Sequence, residues 1–215
     1  MKLLGIQQSG VTSLFFAGSP TGQPSVFHAA AKLVERYQFK KTPGPQELLS
    51  DKNVFEHGIF NNHPINSFEI YNDGIIVRSR ISTEIIDEFI DDVVAWMSDE
   101  LGLRRIETHQ VSKSYNSELG VELDPKVFAL FDRMKPVMAS IVAELAKATG
   151  QRVPAYQPAG LLFHVDQSQI AGMKPVPFRL ERRFDTDFSK NIFIAGAPLP
   201  TAAHIRVLEQ LESLL

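Results

Sequence analysis

The residues best placed to do chemistry lie in the run Phe178-Arg179-Leu180-Glu181-Arg182-Arg183-Phe184. Guanidinium groups held in fixed geometry recognise carboxylates and phosphates, so the run is a candidate site for an anion or an acidic partner. Alternation along an extended strand puts Arg179, Glu181 and Arg183 on one face and Phe178, Leu180, Arg182 and Phe184 on the other. Arg182 is the odd residue, because an arginine among apolar neighbours must pair with a buried carboxylate, line a cleft or reach out at the sheet edge. The plainer reading is a solvated strand face with a snorkelling Arg182.

A second candidate is Gly18-Ser19-Pro20-Thr21-Gly22-Gln23-Pro24-Ser25, between a strand signal and a helix start. Backbone N–H groups there could hold a phosphate or carboxylate, with Gly18, Ser19, Thr21, Gly22 and Ser25 as the binding residues. The glycine spacing is short, no lysine follows Gly22 and two prolines remove donors, so a capped turn explains the segment as well. Of the six histidines, only His164 shares a strand face with a neighbouring carboxylate, Asp166, and Glu181 is a conceivable third ligand. Two ligands do not make a metal site, and the expectation is no metal and no cofactor. The acidic run Glu84, Asp87, Glu88, Asp91, Asp92, Asp99 and Glu100 falls on the polar side of an amphipathic helix, where solvated carboxylates are ordinary. Nucleophile-elbow, dinucleotide and kinase signatures are missing, so no catalytic residue is assigned and enzymatic activity stays open.

Those residues must be positioned by a chain of 215 residues, 44% apolar and 22% charged, the mixture of an ordinary folded domain. A net charge of -3 argues against nucleic acid as a partner. Cysteine is absent, which excludes disulfides, thiol nucleophiles and Cys-ligated metals. The start turns polar at Gln7-Gln8-Ser9, too soon for a signal peptide or membrane span, so a cytoplasmic location is expected.

Apolar residues at helical spacing predict helices over Thr83 to Leu101, Asp124 to about Thr149 with a kink at Pro136, Ser25 to about Phe39, and Thr201 to Leu215. Strands are predicted at Leu3 to Gln7, Ser13 to Ala17, Val54 to Phe60, Ile65 to Tyr71, Ile75 to Ile81, Ile106 to Lys113, Leu161 to Asp166, Phe178 to Phe184 and Asn191 to Ala195. Asp73-Gly74 is expected to supply the positive φ of a tight hairpin turn. The order strand, helix, three strands, helix occurs twice, in 1–102 and again in 103–215, packed as one compact unit. The expected fold is α+β in two layers, a curved, mostly antiparallel sheet with helices on one face. The functional expectation is a non-enzymatic binding or assembly module, an adaptor, regulatory partner or oligomer subunit acting through a sheet face or edge. Its partner is then a protein or a second copy of the chain, with no membrane. The alternative is a small-ligand or anion/nucleotide-binding protein, conceivably an enzyme on phosphoesters.

Overall fold

The computed structural model describes residues 1–14, 26–101 and 112–214. Eight antiparallel strands form one sheet: β1 (Lys2–Leu14), β2 (Lys52–Phe60), β3 (His63–Tyr71), β4 (Gly74–Ser79), β5 (Ser112–Glu122), β6 (Gly160–Phe163), β7 (Phe178–Arg182) and β8 (Ile192–Ala197). The helices are α1 (Val26–Tyr37), α2 (Thr83–Leu101), α3 (Lys135–Thr149) and α4 (Thr201–Ser213). Strands run β2-β3-β4-β1-β5-β8-β7-β6 across the sheet. Read from each edge to the middle, the two sets of four follow one plan, the fourth strand of each lying beside its first.

Register carries the repeat down to residues. Ser79, Ser9, Ser117 and Ala197 stand opposite one another across β4, β1, β5 and β8. Thr83 and Thr201, four residues after Ser79 and Ala197, open α2 and α4 above that row. They cap each other: Thr83 N donates to Thr201 Oγ1 at 3.0 Å, and Thr201 N donates to Thr83 Oγ1 at 2.7 Å. Each hydroxyl satisfies an orphan N–H at the other helix's start, a requirement of any buried helix end.

One face of the sheet is the core. Phe55, Phe68, Val77 and Val11 stand in register on β2, β3, β4 and β1 and are fully buried beneath Leu33 and Tyr37 of α1 and Ile86, Phe89 and Val93 of α2. Aromatic rings knit this half, with Phe89 edge-on to Phe68 at 5.4 Å and to Tyr37 at 5.0 Å. Leu119, Ala195 and Leu180 continue the face across β5, β8 and β7, closed by Leu208 of α4.

Several expectations change. β1 is one 13-residue strand rather than two short ones. The strand expected at 106–113 instead runs from Ser112 to Glu122, and residues 106–111 lie outside the described residues. The strand beginning near Leu161 ends at Phe163, so His164 and Asp166 are not on it. Asp124 to Thr149 is not one kinked helix: Asp124 caps a 3₁₀ helix, Pro125–Met134, and Pro136 sits in the first turn of a separate α3. Proline is tolerated there because the first N–H groups have no partner within a helix. The positive-φ turn is also displaced. Asn61 and Asn62, with φ of 46° and 65°, turn β2 into β3, whereas Asp73-Gly74 has no positive φ. Gly74 is needed for space, since a Cβ there would strike the Ser13 carbonyl oxygen.

Candidate functional site

Register decides what the arginine strand can do. On β7, Arg179 and Glu181 face the open side of the sheet and Arg182 faces the helices, as alternation requires. Arg183 lies just past the strand and is ion-paired to Asp185, 2.7 Å from Nε to carboxylate. Arg179 reaches across β8 to Glu118 on β5. It lies over Gly196, where any Cβ would collide with its side chain. The two guanidiniums do not converge, and each already has a carboxylate. Glu181 is exposed, 4.0 Å from Arg179.

Arg182 is different in kind. It is 7% exposed and, among the described residues, has no ion-pair partner. Nε donates to the Pro158 carbonyl at 3.2 Å and Nη1 to the Phe188 carbonyl at 2.6 Å. Its guanidinium carbon sits 4.3 Å from the ring centre of Phe128, 4.7 Å from Phe188 and 5.3 Å from Phe193. A cation is tolerated in such a box because carbonyl dipoles and ring faces both present negative charge to it. Burial nonetheless lowers the affinity of this guanidinium for its proton. Neither a buried carboxylate partner nor a snorkelling side chain describes Arg182.

Arg182 also lines a cleft of about 270 Å³, between the 3₁₀ helix (Lys126, Phe128, Phe131, Asp132), the start of α3 (Lys135, Met138) and Gln157-Pro158. The sequence placed Arg182 on the right face but held no sign that Phe128, 54 positions away by numbering, would stack on it.

A second pairing was also illegible in the sequence. Ser117 on β5 and His204 on α4, both fully buried, meet at 2.8 Å between Oγ and Nδ1. Ser117 gives its hydroxyl proton to the Leu199 carbonyl at 3.0 Å, so Nδ1 must carry the proton of the shared bond. That polarity is opposite to an activated serine, whose proton points at the imidazole. Among the described residues Nε2 has no hydrogen-bond partner, and burial pushes the His204 pKa down to about 4. The pair therefore serves the packing of α4 on the sheet.

The acidic side of α2 is less solvated than expected. Asp92 accepts from Tyr37 at 2.6 Å and Arg36 at 2.9 Å, tying α2 to α1. Asp87 accepts from Lys113 at 2.7 Å and Tyr115 at 2.9 Å on β5. His164 is exposed, and Asp166 caps a short 3₁₀ turn through Ser168 N at 3.0 Å. No cluster of metal-ligating residues occurs among the described residues. Gly18, Ser19, Thr21, Gly22 and Ser25 lie outside them. Among the described residues no helix is long and apolar enough to cross a membrane.

Exposed apolar side chains gather in the second set of strands and its connections. α3 has no buried residue, and Val137 and Ile141 are exposed. Edge strand β6 exposes Leu162 and Phe163, at 58% and 56%. Met138 of α3 shares the cleft with Gln157 and Pro158, which lead into β6, where Leu162 stands opposite Arg179 on the open side of the sheet and Phe163 opposite Phe178 on the helix side. Compared with known proteins, the chain matches no protein-family model and no curated protein.

Proposed function

We propose that the protein is a non-enzymatic assembly module that binds a second copy of itself through the β6 edge of its sheet and the exposed apolar side of α3. The observation that carries this reading is the presence of a helix with no fully buried residue together with an edge strand that exposes Leu162 and Phe163. Edge strands present unpaired N–H and C=O groups, and two copies of one antiparallel edge can pair about a two-fold axis. Charge does not oppose the contact, because Lys135 pairs with Asp132 and Lys147 with Glu144 on the same surface. A second reading, a small-ligand or anion-binding protein, is favoured by the buried guanidinium of Arg182 at a cleft.

Native mass spectrometry and light scattering on the full chain test assembly. A dimer that becomes monomeric in Leu162→Asp and in Ile141→Asp, with unchanged melting of the monomer, is the expected result. A wild-type protein that stays monomeric at tens of micromolar overturns it.

A further inference from the structure

Arg182 is more than nine-tenths buried, yet Nη2 is given no hydrogen bond by the described residues. Arg182 is at the same time part of the lining of the accessible cleft between the 3₁₀ helix, the start of α3 and Pro158. A guanidinium has five N–H donors, and two bonds to carbonyls leave the others to be met by water or by a ligand. The surroundings specify that ligand. Around the cleft stand three cationic side chains, Lys126, Lys135 and Arg182, and one carboxylate, Asp132, which Lys135 already pairs at 2.9 Å. The wall is apolar, made by Phe128, Phe131 and Met138. Phe128 and Phe131 tilt against each other at 5.8 Å, presenting aromatic surface beside the charge.

We infer that this cleft binds a small carboxylate carried on an apolar body, with the carboxylate on Arg182 and the body against Phe128 and Phe131. A carboxylate accepts from two N–H groups of one guanidinium in plane, which suits a single arginine with free donors better than a lysine would. The Pro158 and Phe188 carbonyls fix the guanidinium, so little freedom is lost when the ligand binds. The inference does not rest on self-assembly through β6 and α3, and Leu162 and Ile141, the positions varied to test assembly, do not line the cleft.

The test titrates the full chain, by calorimetry and by amide chemical shifts, with 3-phenylpropionate and its neutral isostere 3-phenylpropionamide. The acid is expected to bind at least about tenfold more tightly, the difference of one charge-assisted hydrogen bond. Shifts should centre on Phe128 and Ala129. Acetate and inorganic phosphate test charge without a body, and both should bind more weakly than 3-phenylpropionate. N-acetyl-Ala-Ala-Phe with a free and with an amidated C-terminus separates a chain terminus from a free acid as the source of the carboxylate. Preference for either source supports the site, provided the charged form wins. Arg182→Met should abolish binding, and Ala129→Trp, on the exposed rim, should block it without touching the buried arginine. Equal binding of acid and amide overturns the inference, as does phosphate binding as well as the acid, no binding by any probe, or unchanged binding in a folded Ala129→Trp variant.

Discussion

The connection after the first strand of each set is the sharpest contrast in the molecule. After β1, α1 lies on the sheet and sinks Leu33 and Tyr37 beside Phe89. After β5, the corresponding stretch is split: the 3₁₀ helix takes the place on the sheet, burying Val127 and half-burying Phe128, and α3 is left with no buried residue. The first set is therefore a finished two-layer core, and the second exposes apolar surface among the described residues. A helix excluded from the core is free to meet a partner, which is the use proposed for α3. Arg182, boxed by three rings, stands at the position that Ile70 occupies on β3.

The largest effect expected from this contrast is on stability. Phe68→Ala removes a fully buried ring from the first core and should cost about 3 to 5 kcal/mol. Ile141→Ser on α3 should stay within about 0.5 kcal/mol for the monomer, as exposed sites usually do. Urea midpoints for the two variants decide the matter. A large loss at Ile141 would mean that α3 is a core element. Leu208→Ala, fully buried on α4, should fall at about 2 to 5 kcal/mol, showing that the second core is small but closed.

Next in size is a pH effect confined to the second set. His204 stands three residues after Thr201, as the fully buried Ile86 stands three after Thr83. Its folded pKa of about 4 lies below the unfolded value of about 6.5, so the unfolded chain takes up the proton first. Stability from this group is complete above about pH 6.5 and is lost as pH falls toward 4, by at most about 3 kcal/mol. His204→Leu should remove that slope. An identical pH profile in wild type and variant would show that His204 protonates without cost.

Much of this contrast could be foreseen in outline and little in detail. α2 is predicted with its observed ends because its apolar spacing, the capping hydroxyls of Ser82 and Thr83 at its start in the sequence and Gly102 after it agree. The doubled element order also survives, since it depends on element type and not on boundaries. The continuity of β1 through Gln7-Gln8-Ser9 was illegible, because the buried position on the midline is a serine facing a serine rather than an apolar residue. The fate of α3 was hidden for a different reason. Its apolar pattern states that something should cover that side and is silent on which chain provides it. Arg182 was legible as an anomaly, but its box of rings and carbonyls is assembled from segments far apart in sequence.

A smaller effect belongs to the reciprocal threonine caps, where the two sets should behave alike. Thr83→Ala and Thr201→Ala each strand one buried N–H and should cost about 1 to 2 kcal/mol. The hydroxyls also contact each other at 3.2 Å, and that contact disappears in either single variant. The double variant should therefore lose less than the sum. Strict additivity in denaturation would mean that the two caps act separately.

The smallest effect lies on the open face, where the two sets use the same residue types differently. On β3, Glu69 is almost buried and collects Tyr71 at 2.7 Å, Lys52 at 3.0 Å and Arg78. Burial opposes its ionisation, and those three groups overcome it, holding the carboxyl below its usual range. On β7 the ion pair is the half-exposed Arg179 with Glu118, made by crossing Gly196. Arg179→Ala should cost less than about 1 kcal/mol, as exposed pairs do. Gly196→Ala in the wild-type chain should be neutral or mildly destabilising, since the new methyl displaces Arg179 from Glu118. In the Arg179→Ala background the same change should turn stabilising by up to about 1 kcal/mol, because glycine in a strand costs conformational entropy and nothing then occupies the space. A reversal of sign between the two backgrounds, read from urea midpoints, would show that Gly196 is there to let Arg179 pass. The same sign in both would assign the glycine to the backbone instead.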